Sequence, residues 1–474
     1  MNRAPMSPGP DPRSRYPQYY FYCAFKNENG VLRPDSWMND IGEKIPNWFE
    51  NARLYYAYTG DSDVMKTVRE LVDYTLTHGM SPASFAWPNF PYTAANAGDT
   101  LFRGFTSAGR FAMHEIQVDH AGEMGLTYYR MYLYSREKKY LNAALNVAKV
   151  LASRIGEGNG DQSIWPYRVV MDDGRITAPY GANWTGCYRL FSALTQDSAG
   201  NMNHWNEVRD KIRNFLLRYP MRTGYWTDGH SDTDIKSNTY KSNLSASNMV
   251  LCLFDHPDLD PDWEKDIPVL IRWTEKYFVF RTAPGEPSVM WGANIVGEQD
   301  SFNYKMDYQT ARYAAACARW YRVSGDPSYR EKAYRSLNWV TYCNDSLGMA
   351  FESPVSKNIL SWWSDCYGEC PRMFYQVFAG IPDWAPPRED HILYSDGILR
   401  KVGYAVGFVR YLSTSPGTEY LRLSFNPSRV TVDGHLIPAA RDLAPGCYRL
   451  RSLGHGDYSL VINHVRKGEV LVSR

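Results

Sequence analysis

From about residue 46 to residue 380, apolar residues recur at the spacing of three to four that is typical of α-helices. A helix rich in Tyr, Ala and Leu is followed by a tight polar turn and then by a second, more charged helix. The copies of this pair are residues 51–76, 125–154, 186–217, 245–278 and 311–340. With a sixth first helix, the first helices begin near 46, 121, 182, 243, 307 and 370, about 60 to 75 residues apart. The repeat predicts α-hairpins packed in a ring.

The links between the helices fall into two length classes. Links from a first helix to its second helix are short polar turns such as TGDS and SGDPS. Links onward to the next first helix are long, at 79–120, 156–181, 219–243, 281–307 and 344–369. All links of one kind lie at the same end of such a ring. We therefore expect one plain end and one end whose long loops carry the function.

After residue 387 the pattern changes to the alternation of apolar and polar residues that is typical of strands, as in YAVGFVRYL and DYSLVINHV. The predicted organisation is an extended N-terminal segment over residues 1–30, a helical catalytic domain over 31–387 and a small antiparallel β-sandwich over 388–474. The fold class is therefore mainly α with a C-terminal β-domain.

This arrangement resembles the six-hairpin glycosidase superfamily, whose members are (α/α)6 toroids that are often followed by a β-sandwich. The superfamily includes uronyl hydrolases, arabinofuranosidases, polysaccharide lyases and related sugar isomerases. The resemblance covers most of the chain and rests on the helical period and the distribution of long loops. It implies an (α/α)6 toroid and a carbohydrate-active enzyme.

Overall charge gives no electrostatic reason to expect nucleic acid as a partner, since 52 basic residues face 51 acidic ones. No apolar run reaches the roughly 18 residues needed to span a bilayer, and the N-terminus lacks a signal-peptide core. We expect a periplasmic or secreted protein if a signal peptide was removed, and otherwise a cytoplasmic one. The expected partner is a carbohydrate substrate, and the oligomeric state stays open.

The eight cysteines are too scattered for a disulfide scaffold in a chain of this length. The arabinofuranosidases that the chain resembles have cysteines and a glutamate near the sixth first helix, and the candidates here are Cys366, Glu369 and Cys370. The partner Glu-x-Cys of that family has no counterpart in NYKMDYQTA. With too few ligands for zinc, we expect no metal and no cofactor. A local disulfide between Cys366 and Cys370 stays open.

Tryptophans occur in every long loop and before the first helix. They are Trp37, Trp87, Trp165, Trp226, Trp291, Trp362 and Trp363. Exposed aromatic faces suit the apolar C–H faces of sugar rings, so we expect a carbohydrate funnel lined by these residues. The alternative is that the tryptophans pin the long loops onto the barrel.

Carboxylates cluster at the starts of the first helices. Asp119 and Glu123 are four residues apart and share a helix face, and Asp365 and Glu369 repeat that spacing before Pro371. Hydrolysis of a glycosidic bond needs an acid and a base or nucleophile. We therefore predict that Asp119 or Glu123 faces Asp365 or Glu369 across the funnel. The alternative is that these acids cap their helices.

Further polar residues in the same regions are candidates for substrate binding. They are Arg103, His114, His120, Arg168, His230, Lys241, Lys305, Asp307, Tyr308 and Arg372. His120, Arg103 and Lys241 are predicted to orient the sugar and a carboxylate, which makes a uronic-acid glycan plausible; ordinary salt bridges are the alternative. His230 lies among aspartates in YWTDGHSDTD, where a solvated turn is favoured over a cation site.

The pattern as a whole favours a glycoside hydrolase acting on a uronic-acid-containing glycan. A polysaccharide lyase or a sugar epimerase is the alternative enzyme, with Tyr308, Tyr240 or His120 moving the proton. A non-catalytic glycan-binding protein would keep the tryptophan-lined loops and tolerate loss of the acids.

Overall fold

The computed structural model of the chain describes residues 9–28, 31–106, 111–197, 201–228, 237–280, 292–300, 306–343, 361–364 and 368–474. Its helices are α1 (Ile41–Thr59), α2 (Asp63–His78), α3 (Val118–Ser135), α4 (Lys138–Ala152), α5 (Thr185–Gln196), α6 (Met202–Arg218), α7 (Pro220–Thr223), α8 (Asn243–Asp255), α9 (Trp263–Tyr277), α10 (Asp307–Ser324), α11 (Pro327–Thr341) and α12 (Glu369–Gly380). The predicted first helices correspond to α1, α3, α5, α8, α10 and α12. The predicted starts near 243, 307 and 370 agree with the structure to within one residue.

The six first helices contact one another in chain order, and α12 returns to contact α1. The second helices α2, α4, α6, α9 and α11 each pack against their own first helix. This cyclic order and the β region that follows are consistent with an (α/α)6 toroid. Within the described residues α12 has no second helix after it, because a 3-10 helix at Pro382–Trp384 leads to strands from His391 onward. No helix in the described ranges has the length and apolar character needed to cross a bilayer.

Glycines explain how these helices end and how closely two of them approach. Gly60 and Gly325 end α1 and α10 in the left-handed conformation, with φ of 76° and 71°, where other residues are strained. Both lie in the short polar turns TGDS and SGDPS. In α12, a side chain on Gly380 would overlap the backbone of Ala318 in α10. The missing side chain therefore lets these neighbouring first helices pack together.

The strands form two groups, one among the long loops and one after the helices. They are β1 (Ala24–Glu28), β2 (Val31–Pro34), β3 (Asn39–Asp40), β4 (Ala94–Ala95), β5 (Glu115–Gln117), β6 (Arg168–Val170), β7 (Ile176–Ala178), β8 (Ser361–Trp363), β9 (His391–Ser395), β10 (Leu399–Ala405), β11 (Phe408–Ser413), β12 (Gly417–Leu423), β13 (Arg429–Val432), β14 (His435–Leu436), β15 (Cys447–Gly454), β16 (Asp457–His464) and β17 (Gly468–Ser473). The small sheets β2-β1-β8, β3-β4 and β5-β6-β7 join loops at the starts of the first helices. The predicted boundary between residues 30 and 31 falls within the β1–β2 hairpin.

The C-terminal region consists of two antiparallel sheets, with strand orders β10-β11-β17-β13-β14 and β15-β16-β12-β9. Their apolar residues form one shared core, to which Val409 and Val470 contribute from the first sheet and Leu421 and Leu460 from the second. Alternation along each strand places these side chains on one face. The predicted C-terminal β region is confirmed.

The turn between β9 and β10 joins the C-terminal region to the helices. Asp396 in this turn accepts hydrogen bonds from Arg130 of α3 at 2.8 Å and from Arg189 of α5 at 2.6 Å. Burial opposes ionisation of Asp396, but Arg189 and Arg130 hold the pKa of this carboxyl well below its usual value. The adjacent Ser395 accepts a hydrogen bond from Arg53 of α1 at 2.6 Å. Three first helices are thus tied to one turn of the β region.

Candidate active site

A cavity of about 90 Å³, the axial cavity, lies among the first helices, and each of them contributes to its lining. The charged and polar residues that line it are Glu43, Asn47, Glu50, Arg53, His120, Glu123, Thr185, Arg189, Asn248, Asp255, Arg312, Arg372, Gln376 and Tyr394. Tyr394 belongs to β9, so the C-terminal region contributes to this cavity. A volume of this size holds about six to nine water molecules, which is space for one sugar ring rather than for a chain.

The start of α3 brings three of the predicted residues together. Asp119 and His120 are buried, and His120 and Glu123 line the axial cavity. The Oδ2 atom of Asp119 accepts a hydrogen bond from Nδ2 of Asn183 at 3.1 Å. The Nδ1 atom of His120 lies 3.9 Å from Oδ1 of Asp40, the residue that caps α1. The predicted cluster is therefore a compact set of ionisable groups beside the cavity.

The protonation of this cluster follows from its burial and its mutual charges. Burial alone would lower the pKa of His120, but the carboxylates of Asp119, Asp40 and Glu123 raise it to about 9. Burial raises the pKa of Glu123, and Asp119 and, to a smaller extent, Glu43 raise it further, while His120 and Arg372 oppose them. Burial also raises the pKa of Asp119. At neutral pH the site therefore holds a charged imidazolium beside carboxyl groups that retain protons more readily than usual.

Two glycines make room for these side chains. A Cβ on Gly42 of α1 would lie 2.8 Å from Cβ of His120, and a Cβ on Gly186 of α5 would overlap Cγ of Glu123. Neither glycine has a positive φ, so close approach and not backbone conformation requires it. The positions of His120 and Glu123 thus depend on missing side chains in the neighbouring helices.

Glu369, the first residue of α12, is fully buried in a group of cationic and amide side chains. It forms an ion pair with Arg312 of α10, and it accepts hydrogen bonds from Arg372 at 3.3 Å and from Asn47 at 3.4 Å. Arg312 also donates a hydrogen bond to Asn248. Such pairing suits a carboxylate that stays charged and holds two guanidinium groups in place. A role of Glu369 as acid, base or nucleophile stays a prediction.

Arg312 and Arg372 share that single carboxylate and both line the axial cavity. Among the described residues, Nε of Arg372 and Nε of Arg312 have no hydrogen-bond partner. The wall formed by α10 and α12 therefore presents positive charge and unused donors.

Asp307 and Tyr308 lie buried at the start of α10, but neither lines the axial cavity. Burial raises the pKa of Asp307 to about 7. Hydrogen bonds from the Tyr308 backbone and from Cys370 lower this pKa, but their effect is weaker than that of burial. Tyr308 donates a hydrogen bond to Glu298. A direct role of these two residues in substrate binding stays a prediction.

Most of the predicted tryptophan platforms are wrong, because the rings are buried. Trp165 and Trp226 are 0% and 1% exposed, and Trp87 and Trp362 are also buried. Trp165 illustrates the reason, since its indole N–H donates to the backbone oxygen of Leu151 at 2.9 Å. These residues pin the loops onto the helices, which is the alternative that the sequence left open. Trp363 differs, because it is only half-buried.

Trp363 forms an edge-to-face pair with Trp37, with ring centroids 5.3 Å apart. Trp37 is 36% exposed, so this pair retains an accessible aromatic surface. It lies just before α1 and α12, two helices that contribute to the axial cavity.

The other predicted binding residues lie in loops and do not line the axial cavity. Arg103 is exposed. The Nδ1 atom of His114 is 2.7 Å from the hydroxyl of Tyr92, and Lys241 is 3.7 Å from Asp300. Three predicted site residues, Asp365, His230 and Trp291, lie outside the described residues, as do Lys305 and Cys366.

Metal and disulfide chemistry depends on the His, Cys, Asp and Glu side chains of the described ranges. There, no three His, Cys, Asp or Glu side chains are grouped so that they could hold a metal ion. The seven cysteines in these ranges, Cys370 among them, form no disulfide with one another. The pairing of Cys370 with Cys366 stays open.

Glu43 and Arg312 are site residues that the sequence pattern did not reveal. Glu43 precedes the predicted start of the first helix near residue 46, whereas α1 begins at Ile41. The spacing of Asp40 and Glu43 is that of an N-terminal capping pair and could have indicated the earlier start. Arg312 lies in a run of alanines in α10, where no local signal distinguishes a site residue.

Solved structures share this fold at low sequence identity. Cellobiose 2-epimerase from Spirochaeta thermophila matches with a TM-score of 0.52 and 9% identity, over 75% of this chain and 89% of that chain. Cellobiose 2-epimerase from Bacillus thermoamylovorans matches with a TM-score of 0.50 and 10% identity, over 74% and 91%. A D-mannose isomerase matches with a TM-score of 0.53 and 10% identity, over 75% and 91%.

No family model matches the chain. No curated protein sequence matches it either. The structural matches show that the chain shares its fold with these two epimerases and this isomerase. At identities this low they show the fold alone and not the activity.

Proposed function

We propose that the protein is a carbohydrate-active enzyme built on an (α/α)6 toroid, and that it hydrolyses a glycosidic bond of a uronic-acid-containing glycan or oligosaccharide. One observation carries the proposal. Glu43 and Glu123 line the same cavity, and burial, with smaller contributions from Asp119 and Glu43, raises the pKa of Glu123. Glycoside hydrolysis uses two carboxyl groups whose surroundings keep one protonated and the other ionised.

In this mechanism Glu123 is the general acid. It gives its proton to the glycosidic oxygen as the bond to the anomeric carbon breaks. Glu43 acts either as the base that activates a water molecule or as the nucleophile, depending on its distance from Glu123 across the bound sugar. His120 remains an imidazolium at neutral pH and offsets the negative charge of the neighbouring acids.

The positive wall formed by Arg312 and Arg372 supports an acidic sugar. Both guanidinium groups line the cavity beside the carboxylate of Glu369, where they can bind the carboxylate of a substrate. The unused Nε donor of Arg372 provides a hydrogen bond for that group. The proposal of an acidic sugar therefore depends on the arginines of α10 and α12, and not on the predicted loop residues Arg103 and Lys241.

The size of the axial cavity favours action at the end of a glycan chain. The cavity has space for about one sugar ring. Tyr394, just before the turn that Asp396 fixes to α3 and α5, lines the same cavity. A polymer would thus insert its terminal unit and leave the remaining units among the loops.

Sugar epimerisation is the second candidate, because two of the structures with this fold are cellobiose 2-epimerases. That reaction needs a base that removes a proton from carbon. His120 suits this role poorly, since its pKa of about 9 keeps it protonated at neutral pH. The same argument disfavours His120 as the base of a lyase.

The role of Glu123 is tested with two substrates that differ in the leaving group. The Glu123→Gln variant should lose about 10²- to 10⁴-fold in kcat on an alkyl uronide, which needs a proton on its leaving group. On an aryl uronide with an acidic phenol the loss should be much smaller. Glu264→Gln, an exposed glutamate of α9, is the control. Equal activity of the Glu123→Gln variant and the parent on both substrates would contradict the proposal. If the parent binds the substrates but does not turn them over, a non-catalytic glycan-binding protein is favoured.

A further inference from the structure

A second, larger cavity lies between the loop that follows α2 and the loop that follows α4. Its volume is about 510 Å³, compared with about 90 Å³ for the axial cavity, and the two cavities share no lining residue. Ala86 and Trp87 line it from the first loop, and Arg154 and eleven residues between Gly156 and Ile176 line it from the other side. Both loops are links from a second helix to the next first helix, so this cavity lies at the end of the molecule that carries the long loops.

Arg154 is the unusual residue of this second cavity. Its guanidinium carbon lies 4.9 Å from the centroid of the Trp87 ring, and its N–H groups donate to the backbone oxygens of Ala86 and Val150 and to Oγ of Ser153. Among the described residues it has no carboxylate within ion-pair distance, although burial disfavours its charged form. Half-buried guanidinium groups usually have an anionic partner.

The carboxylate in the lining does not balance that charge. Glu157 forms an ion pair with Lys211 at 2.6 Å, on the exposed surface. The second cavity therefore contains one guanidinium group without a counter-charge, held by the face of Trp87.

The rest of the lining combines apolar and polar groups. Ile164 is buried, and Ile176 is 47% exposed on the edge strand β7. Asn159 and Gln162 are exposed at the rim. Apolar surface together with amide groups suits the C–H faces and hydroxyls of a sugar, and the unpaired guanidinium group suits an anionic substituent.

We propose that the second cavity is an accessory site that binds an acidic sugar unit, with Arg154 pairing with the sugar carboxylate. The choice of a uronate rests on the proposed function of the axial cavity. A sulfated sugar presents the same anionic chemistry, so the experiment includes both ligands.

The number of bound ligands tests the proposal directly. In the Glu123→Gln variant, calorimetric titration with a uronate disaccharide should give two bound molecules, one for each cavity. Adding Arg154→Gln should reduce this number to one. The methyl ester of the disaccharide should give one bound molecule in both the single and the double variant. Arg175→Gln, an exposed arginine just before β7 that does not line the cavity, is the matched control.

A second pair of variants leaves the stacked guanidinium group in place. Ile176→Glu adds a negative charge at the exposed rim, and Ile176→Gln adds the same bulk without charge. Ile176→Glu should weaken binding at the accessory site about tenfold, because it places one unfavourable, partly buried charge near the ligand. Ile176→Gln should weaken this binding little. Hydrolysis at the axial cavity should be the same in both variants.

Three results would overturn the accessory site. The first is a single bound uronate in the Glu123→Gln variant, which retains Arg154, and the second is an equal effect of the two Ile176 substitutions on binding. The third is binding of a sulfated neutral disaccharide but not of the uronate. Hydrolysis of uronides by the parent would show that the proposed function stands despite such a result. Two bound uronates without hydrolysis would contradict the proposed function and leave the accessory site supported.

Discussion

Gly186 in α5 faces Glu123 in α3 so closely that a single methyl group on the glycine would overlap the glutamate side chain. Glycine is a poor helix former, and an alanine at such a position normally stabilises a helix by about 1 kcal/mol. We predict that Gly186→Ala instead displaces Glu123 and lowers kcat on an alkyl uronide by about 10²-fold, the effect of a misplaced catalytic group. Steady-state kinetics of the variant measures this effect.

Gly403→Ala, in β10, is the control, because a Cβ there meets nothing within 4 Å. Thermal unfolding of the single and double variants measures the steric effect of the added methyl group independently of catalysis. Gly186→Ala should lower Tm in the parent but not in a Glu123→Ala background, where the overlapping side chain is gone. Equal changes in both backgrounds would show that the two residues are not coupled.

Arg372 should determine the preference for acidic sugars. Arg372→Met should raise KM for a uronide about tenfold or more, because it removes a charged hydrogen bond, and it should change KM for the methyl ester of the same uronide much less. Arg335→Met, at an exposed position of α11, provides the control for loss of an arginine elsewhere. A similar change of KM for both substrates would remove Arg372 from carboxylate recognition.

Asp307 should make the folded state less stable as the pH rises. Its carboxyl has a pKa of about 7 in the folded protein and about 3.9 in an unfolded chain, so the folded state retains the proton more strongly. The associated stability is present below pH 4 and is lost as the pH rises through 7. Asp307→Asn should therefore increase the free energy of unfolding by roughly 2 to 4 kcal/mol at pH 8 and change it little at pH 4.

Urea unfolding at the two pH values measures that difference. Asp326→Asn is the matched control, because the hydrogen bonds that this exposed helix cap accepts from Ser328 lower its pKa. It should cause a small loss of stability at pH 8, opposite in sign to the effect of Asp307→Asn. A destabilised Asp307→Asn protein at pH 8 would contradict the interpretation.

Asp396 should couple the C-terminal β region to the helices. Asp396→Asn removes the charge that Arg130 and Arg189 share, and should lower the free energy of unfolding by roughly 2 to 3 kcal/mol at pH 7. Asp442→Asn, at an exposed position of the β region, should have little effect. If both variants unfold at the same urea concentration as the parent, the turn does not hold the two regions together.

The sequence pattern predicted the features that depend on local order. The helix starts near residues 243, 307 and 370, the glycine-containing turns and the alternating C-terminal strands each leave a signal within a few residues. The cluster of Asp119, His120 and Glu123 is of the same kind, because all three residues lie in one helical turn.

Other features depend on packing between distant segments, and the pattern could not predict them. The loop tryptophans lie among polar neighbours, and their segments left both exposure and burial open, yet Trp165 and Trp226 fill the space beneath their loops. Arg312 meets Glu369 only after α10 and α12 pack together, and nothing near either residue in sequence marks this contact. Burial of a side chain is a property of the assembled fold, not of its own segment.

Product masses after incubation of a uronate oligosaccharide in ¹⁸O-labelled water test hydrolysis most directly. If Glu123 and Glu43 cleave the glycosidic bond with water, the two products together should contain one water more than the substrate, with ¹⁸O on the anomeric carbon of the released uronate. Products that sum to the substrate mass, with an unsaturated sugar, would show a lyase. An unchanged mass with a new sugar configuration would show an epimerase, and either result would contradict hydrolysis at this site.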